Sequence, residues 1–350
     1  GFWNAWGARR NDIVLVASGS ASSWMMDKLV KNPGGLHARI TNNIYVRPFT
    51  LRETEEYLES RGFSWSKYQI LQLYMSMGGI PFYLSLLDPS KTLINNINHL
   101  FFRKNSELKT EFDELYTAIF SNSGKYLEIV KLLNNHKEGM TYSEVQKSTG
   151  ITGSRLTTIL NNLERCDFVL SYSQFGNKSK GTIYRLVDFY TLFYLKFIES
   201  SDTKDEEWWL HNYNSRSVAS WQGTTFELVC LTHLPQIRRK LGIDGISTSA
   251  SSWRYVPRPQ SSDGEEGAQI DLVIDRGDQV INLCEMKFST GEYIITGEYE
   301  KKVRHRIQIF REKTKTRKSL VSTFVTTFGV ANGIHNGIVG NEVTMEDLFK

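Results

Sequence analysis

Two acidic residues and a lysine in the C-terminal third of the chain have the types and spacing needed for chemistry on phosphate. Asp271 lies in the alternating run of residues 269–275, and Glu285 and Lys287 end the next run, residues 279–287. Apolar residues dominate both runs and a short polar turn separates them, which predicts a β-hairpin. Carboxylate oxygens are the ligands that Mg²⁺ prefers, and a lysine beside them can offset charge that develops on a phosphate.

The predicted hairpin must place these side chains on one face. A three-residue loop that sets Asp275 opposite Gln279 would put Glu285 and Lys287 on the face of Asp271. Glu285 would then lie two residues, about 7 Å, along the strand from the point opposite Asp271. The two acids could share one Mg²⁺, with the lysine positioning the attacking water.

This order of residues resembles the PD-(D/E)XK nuclease superfamily, in which a helix bearing a Glu precedes an Asp on one strand and Glu-x-Lys on the next. Here Asp271 is followed by Glu285-Met-Lys287, and the predicted helix contains Glu227. The resemblance implies that Glu227, Asp271 and Glu285 form the metal site and act in catalysis together with Lys287. The alternatives are a surface ion pair between Glu285 and Lys287, or a nuclease-like fold kept as a scaffold.

The middle of the chain carries a second pattern. Apolar residues recur at helical spacing in residues 126–133 and 156–163, and Thr141 begins a capping box. Two strand-like runs, residues 168–173 and 182–186, then bracket a basic loop bounded by glycines. Three helices followed by such a hairpin predict a winged helix.

One face of this predicted winged helix carries donors suited to phosphates and base edges. They are Arg155, Asn162 and Arg165 on the helix of residues 152–165, and Lys178 and Lys180 in the loop of the hairpin. We therefore expect this domain to bind nucleic acid, with DNA favoured over RNA. A winged helix used for protein contacts is the alternative.

A basic segment lies close to the C-terminus. Residues 301–318 contain nine lysines and arginines and a single acid, Glu312. Such a run is typical either of a surface that contacts phosphates or of a solvated helix face.

The N-terminal third predicts part of an α/β domain. Residues 12–18 form a nearly continuous apolar run, the pattern of a strand buried in a parallel sheet, and residues 43–46 are a second candidate strand. The remaining residues before 120 predict helices, including one after Thr50 and one over 68–77. Because the partner strands are missing and the chain begins with Gly1, we expect a C-terminal fragment in which residues 13–16 pair poorly.

The same region resembles the AAA+/STAND group of archaeal-type ATPases, also found in Bacteroides-like bacteria. Many of these proteins carry a winged helix and a C-terminal nuclease-like domain of unknown function. The resemblance rests on residues 14–25 and 43–53 and on the Gly-Gly-Ile-Pro turn of residues 78–81. It implies a nucleotide contact for five residues: Ser18 or Ser20 near the γ-phosphate, Arg39 near the phosphates, and Gly79 and Pro81 near the adenine. A capped strand end, a surface arginine and a helix C-cap are the structural alternatives for these positions.

The sequence departs from that group in one respect. The phosphate-binding loop Gly-x-x-x-x-Gly-Lys-Ser/Thr does not occur in the 350 residues, nor does an acidic strand end that would hold Mg²⁺ beside it. We therefore expect that this chain does not hydrolyse ATP, and that ATP binds only in the full-length parent, through its missing N-terminal half.

Composition restricts the remaining classes of protein. Hydrophobic residues make up 40% and charged residues 23% of the chain, which excludes extended disorder. No uncharged apolar run approaches the roughly 18 residues of a membrane span. The three cysteines are far apart in sequence, which favours a reducing cytoplasm over a disulfide or zinc framework.

Together these patterns predict a multidomain protein with α/β and α+β parts. Residues 1–120 would be a truncated P-loop ATPase remnant with a helical lid, 121–200 the winged helix, and 201–350 the PD-(D/E)XK-like α/β domain. The predicted function is that of an ATP-binding protein acting on nucleic acid, with a metal-dependent nuclease-like domain. The alternative is a non-catalytic, ATP-switched regulator that only binds DNA or a protein. The sequence leaves the oligomeric state open.

Overall fold

The structure is a computed structural model with mixed α/β architecture. It describes residues 6–10, 12–16, 18–19, 41–42, 44–120, 122–176, 181–199, 205–257 and 267–350. The described helices are α1 (Leu51–Ser60), α2 (Lys67–Met77), α3 (Pro81–Ser85), α4 (Leu93–Phe101), α5 (Glu107–Ile119), α6 (Ser123–Asn134), α7 (Tyr142–Thr149), α8 (Gly153–Arg165), α9 (Phe189–Phe193), α10 (Trp208–Asn212), α11 (Arg216–Thr232), α12 (Leu234–Lys240), α13 (Gly297–Thr314) and α14 (Met345–Leu348). The strands are β1 (Met140–Thr141), β2 (Val169–Gln174), β3 (Thr182–Leu186), β4 (Thr248–Tyr255), β5 (Ala268–Arg276), β6 (Val280–Lys287), β7 (Ser319–Thr326) and β8 (Asn341–Thr344). No helix in the described ranges is long and apolar enough to cross a membrane.

The helices α1 to α5 form a subdomain that begins at Thr50. The Thr50 side chain accepts a hydrogen bond from the Glu53 amide and Glu53 returns one, which is the predicted capping box. Gly78 caps the C-terminal end of helix α2, with a φ of +69° that glycine adopts at low cost. Aromatic side chains from α4, α5 and α9 fill the interior, so the segment that follows β3 closes this subdomain.

The turn between α2 and α3 packs backbone against backbone. The Phe49 amide donates to the Gly79 carbonyl at 2.7 Å, and a Cβ added at Gly79 would lie 2.0 Å from the Phe49 oxygen. Only glycine allows this approach, which gives the Gly-Gly-Ile-Pro turn a structural reason independent of any nucleotide.

We expect Gly79→Ala to destabilise the protein by about 1–3 kcal/mol or more, because the added methyl overlaps backbone that cannot move aside as a side chain would. Gly124→Ala is the matched control, since nothing lies within 4 Å of its added Cβ in helix α6. Chemical denaturation measures both variants. A Gly79→Ala protein as stable as the control would contradict this packing.

The N-terminal strand prediction is wrong over the described residues. Residues 12–16 and 44–46 have no regular secondary structure and lie outside the eight-stranded sheet. Val14 is 88% and Val46 is 83% exposed. An apolar run forms a strand only where a neighbour supplies its hydrogen bonds, and none of the described strands does so here. The expectation that residues 13–16 pair poorly agrees with this arrangement.

The middle segment contains three helices and a hairpin, as predicted. Thr141 caps α7 with the expected capping box, and β2 pairs with β3 in the antiparallel register Val169↔Leu186. The short strand β1 pairs with the other side of β3, which gives the local order β1-β3-β2.

This hairpin continues into the C-terminal sheet. Ser173 and Gln174 of β2 pair in parallel with Ser251 and Ser252 of β4, at a point where a bulge interrupts the β4–β5 ladder. The eight strands therefore form one sheet, in the order β1-β3-β2-β4-β5-β6-β7-β8. The C-terminal part follows the order helix α11, strands β4 to β6, helix α13 and strand β7, with β7 parallel to β6. This continuity was not anticipated by the division into domains at residue 200.

Candidate functional site

The hairpin β5–β6 brings the strand of Asp271 beside the strand of Glu285. The pairing of β5 with β6 runs from Asp275 and Ile281 to Leu272 and Cys284, and Asp271 and Glu285 are the next residues along the two strands. The predicted register was wrong by two residues, because Asp275 pairs with Ile281 and not with Gln279. A shift of two residues preserves the side on which a residue of a regular strand projects, but the β4–β5 ladder is irregular at Asp271 and Leu272, between the pairs Trp253↔Ile270 and Ser251↔Val273.

The turn explains the difference in register. Arg276 still belongs to β5 and donates to Asp278 at 2.9 Å, and Gln279 has a φ of +67°. The loop therefore spans residues 277–279 instead of 276–278. Extending the strand by this residue brings Glu285 closer to Asp271 than the sequence suggested.

Glu285 is buried and surrounded by donors. Its side chain accepts from the Tyr299 hydroxyl at 2.5 Å through Oε2, and from Arg306 Nη1 at 2.5 Å through Oε1. Lys287 Nζ lies 3.8 Å from Oε2. Tyr299 and Arg306 are seven residues apart on α13, two helical turns, so they reach the sheet from the same helix face. Because Glu285 is only 8% exposed, these donors provide the charge and hydrogen bonds that a buried carboxylate needs.

Glu227 approaches the same site from helix α11. Arg185 Nη2 donates to Glu227 Oε2 at 3.3 Å, and the Arg185 side chain is only 4% exposed. Burial, and after it the charge of Asp271, raise the pKa of Glu227 to about 7 against the opposing effects of Arg185 and Lys287. Glu227 is therefore close enough to Asp271 and Lys287 to sense their charges. Arg185 belongs to β3, so the β2–β3 hairpin contributes a residue that pairs with Glu227.

Asp271 opens onto a cleft between β5 and the basic helix. Its Oδ1 accepts a hydrogen bond from Gln269 Nε2 at 2.7 Å. The cleft has a volume of about 820 Å³, and its lining includes Gln269, Asp271, Lys301, Lys302, His305 and Arg306. The basic segment 301–318 thus lies partly along the site, on α13.

The carboxylates suit Mg²⁺ in kind, because it prefers oxygen ligands. Asp271 and Glu285 lie on the adjacent strands β5 and β6, and two carboxylates can hold an ion that keeps several waters. In the described part of the chain, no group of three His, Cys, Asp or Glu side chains is close enough to hold a metal ion. Glu227 faces Arg185, and the hydrogen bonds from Arg306 and Tyr299 occupy both oxygens of Glu285. The metal site of Glu227, Asp271 and Glu285 therefore stays a prediction.

The predicted nucleic-acid residues differ in their surroundings. Arg155 is exposed and borders a hollow of about 260 Å³ with Lys125 and Thr158. Arg165 is exposed at the end of α8, where its carbonyl accepts from the Tyr45 hydroxyl.

Asn162 was wrongly predicted to face a nucleic acid. It is 6% exposed and its Nδ2 donates to the Tyr126 hydroxyl at 2.8 Å, so it holds α8 against α6. Lys178 and Lys180 lie outside the described residues.

The predicted nucleotide residues are not brought together in the described structure. Ser18 is exposed in irregular chain, Ser20 and Arg39 lie outside the described residues, and Pro81 is the first residue of α3. Gly79 contacts Phe49, as described above.

Three residues of the site were not singled out by sequence reasoning. Arg185 shares the inward face of β3 with Ile183, so a charged residue at a buried position of the alternating strand was a usable signal. Tyr299 and Arg306 gave a weaker signal, since their spacing fits any helix that packs on a sheet.

Comparison with known proteins finds a distantly similar protein but no family. No protein-family model matches the chain, and no solved structure matches it. An uncharacterized protein of Methanocaldococcus jannaschii is 25% identical to this chain over 188 residues. The match covers 53% of this chain and 40% of that protein, so the chain is similar to a minor part of a longer relative whose description names no activity.

Proposed function

We propose that the C-terminal part of this chain is a metal-dependent phosphodiesterase of the PD-(D/E)XK type that cleaves nucleic acid. The observation that carries the proposal is that Asp271 and Glu285 lie on adjacent, paired strands, with Lys287 Nζ 3.8 Å from the Glu285 carboxylate. A Glu-bearing helix, an Asp-bearing strand and a Glu-x-Lys strand follow one another as in that superfamily. This order of elements supports the proposal.

Each side chain has a distinct task in this proposal. Mg²⁺ held by Asp271 and Glu285 would polarise the phosphate and lower the pKa of a bound water. Lys287 is placed to contact an oxygen of the phosphate as negative charge develops on it. Glu227 orients the site from α11, and the Arg185 guanidinium holds its carboxylate in place.

The remaining parts of the chain fit a role in nucleic-acid binding. We infer that the three helices and hairpin of residues 123–186 are a winged helix that contacts DNA through Arg155 and Arg165. The AAA+/STAND resemblance would assign ATP binding to a longer protein that contains these residues. We also propose a cytoplasmic location, because no disulfide joins Cys166, Cys230 or Cys284 in the described structure.

The decisive experiment is an incubation of the full-length protein with a mixed panel of DNA and RNA, single-stranded and double-stranded, with Mg²⁺ or Mn²⁺ and with or without ATP. Metal-dependent cleavage that EDTA abolishes is the expected result. A protein that binds the panel and cuts none of it with either metal would overturn the proposal.

A second candidate function is favoured by one observation. Arg306 and Tyr299 already satisfy Glu285, an arrangement that would suit a nuclease-like fold that binds nucleic acid or a protein without cleaving it. In that case Asp271→Asn leaves binding to the panel unchanged, and the protein acts as a regulator switched by ATP.

The Arg155 surface provides a separate prediction about binding. We expect Arg155→Ala to lower the affinity for duplex DNA and to reduce the slope of log affinity against log salt by about one, since one phosphate contact is lost. Arg52→Ala is the control, because it removes an exposed arginine that pairs with Glu56 on α1. Fluorescence anisotropy at several salt concentrations measures both variants. Equal salt slopes for the two variants would assign this face to protein contacts.

A further inference from the structure

The cleft beside Asp271 has one strongly basic wall. Lys301, Lys302, His305 and Arg306 on α13 line it across from Gln269 and Asp271 on β5. Glu298 also lines the cleft and pairs with Lys302 at 2.6 Å. This pair is exposed on both sides, so it contributes little energy and can be exchanged for another anion. The wall therefore suits a polyanion such as a nucleic-acid backbone.

Arg306 is part of this wall and also part of the acid site. Its side chain is 25% exposed, it lines the cleft, and its Nη1 donates to Glu285 Oε1. A guanidinium carries five N–H donors, so a phosphate in the cleft can compete with Glu285 for it through a bidentate contact. One side chain thus faces both the expected substrate and the expected metal ligand.

The buried charge of Glu285 links the departure of Arg306 to the arrival of a metal ion. Removing Arg306 from the buried Glu285 carboxylate without a replacement leaves an unpaired buried charge, which is strongly unfavourable. A divalent cation that arrives at Asp271 and Glu285 supplies that replacement. Tyr299 donates to Oε2 and Arg306 donates to Oε1, so the hydrogen bond from Tyr299 can persist when Arg306 leaves.

We propose that a nucleic-acid phosphate in this cleft takes Arg306 from Glu285, so that substrate binding completes the Mg²⁺ site. This inference rests on the proposed function of the acid pair and adds a coupling between its two ligands. Metal and nucleic acid then bind cooperatively, each strengthening the other by the same factor, as linkage requires. In the absence of nucleic acid, Arg306 keeps Glu285 from the metal.

The test measures Mg²⁺ binding by calorimetry, with and without a DNA duplex whose phosphorothioate backbone resists cleavage. For the wild-type full chain we expect the duplex to tighten Mg²⁺ binding by roughly tenfold, within the usual range of coupling between sites. For Arg306→Gln we expect tighter Mg²⁺ binding than wild type without DNA, and a coupling factor close to one. Lys302→Gln is the matched control, since it alters the same wall without touching Glu285; it should weaken DNA binding and keep the coupling.

Further outcomes distinguish a failure of this inference from a failure of the proposed function. If Arg306→Gln does not fold, Arg306→Lys takes its place, because a lysine keeps the charge and loses the forked contact; it should also bind Mg²⁺ more tightly without DNA and show a smaller coupling. Cleavage by the wild type combined with equal coupling in wild type and the Arg306 variants overturns the inference alone. Absence of both cleavage and Mg²⁺ binding in the wild type, with or without DNA, overturns the proposed function, and the inference falls with it.

Discussion

Lys287→Ala is expected to lower the rate of Mg²⁺-dependent cleavage by about a hundredfold or more while leaving metal affinity largely intact. Lys287 lies beside Glu285 and 5.1 Å from the centre of the Tyr299 ring, so it reaches the acid pair without being a metal ligand itself. Asp271→Asn should instead weaken Mg²⁺ binding and abolish cleavage together, because a neutral amide is a poorer ligand for a hard cation. Loss of a transition-state stabiliser and loss of a metal ligand therefore affect different steps. Single-turnover cleavage measures the first and metal titration the second.

The control for this pair is Lys131→Ala, which removes a lysine that pairs with Glu199 on the surface. Its cleavage rate should match that of the wild type. Circular dichroism and melting curves must show that the Lys287 and Asp271 variants remain folded. Full cleavage by folded Lys287→Ala would mean that Glu285 and Lys287 form only a structural ion pair.

Protonation of His233 is expected to destabilise the protein by about 3 kcal/mol between pH 6.5 and pH 4. The imidazole lies between α11 and α12, where Nε2 accepts the Leu51 amide at 3.0 Å and Nδ1 lies 2.9 Å from the Val229 carbonyl oxygen. Burial lowers the pKa of His233 from 6.5 to about 4. The unfolded chain therefore binds the proton first as the pH falls, so the free energy of unfolding decreases across this window and levels off below it.

His233→Gln removes this titration and isolates its effect. The variant loses part of the contact to Leu51 at every pH. The informative quantity is therefore the free energy of unfolding of the wild type minus that of the variant, followed as the pH changes. In urea denaturation this difference should fall by about 3 kcal/mol from pH 7 to pH 4. His211→Gln is the control, because this imidazole is exposed and pairs with Asp205. Parallel pH profiles of the free energy of unfolding for the wild type and His233→Gln would contradict the role of His233 as a buried acceptor.

Local patterns predicted the elements well because their causes are local. The hairpin β5–β6 and the capping boxes at Thr50 and Thr141 follow from alternation and from side-chain hydrogen bonds within three residues. The register of β5–β6 was missed because it depends on whether Arg276 extends the strand, and its contact with Asp278 favours the extension.

The predictions that failed depend on contacts between residues that are distant in sequence. The apolar run at residues 12–18 carries no information about whether a partner strand is present. Asn162 lies three residues after Ile159, at the edge of the apolar stripe of α8, where a small rotation of the helix decides between solvent and Tyr126. Arg185 and Glu227 are 42 residues apart, and nothing in either local sequence indicates that they meet.

The sheet narrows to two residue pairs where β2 meets β4, whereas β6 and β7 are joined by eight. In amide hydrogen exchange, cooperative units separate where the fewest bonds hold them together. This junction should therefore open well before the ladder of β6 and β7 does, letting the hairpin move away while the acid-bearing strands stay formed. Because Arg185 travels with the hairpin, each such opening withdraws the partner of Glu227. The ionic surroundings of the acid site thus change on the timescale of a partial unfolding event, without loss of the sheet that carries the acids.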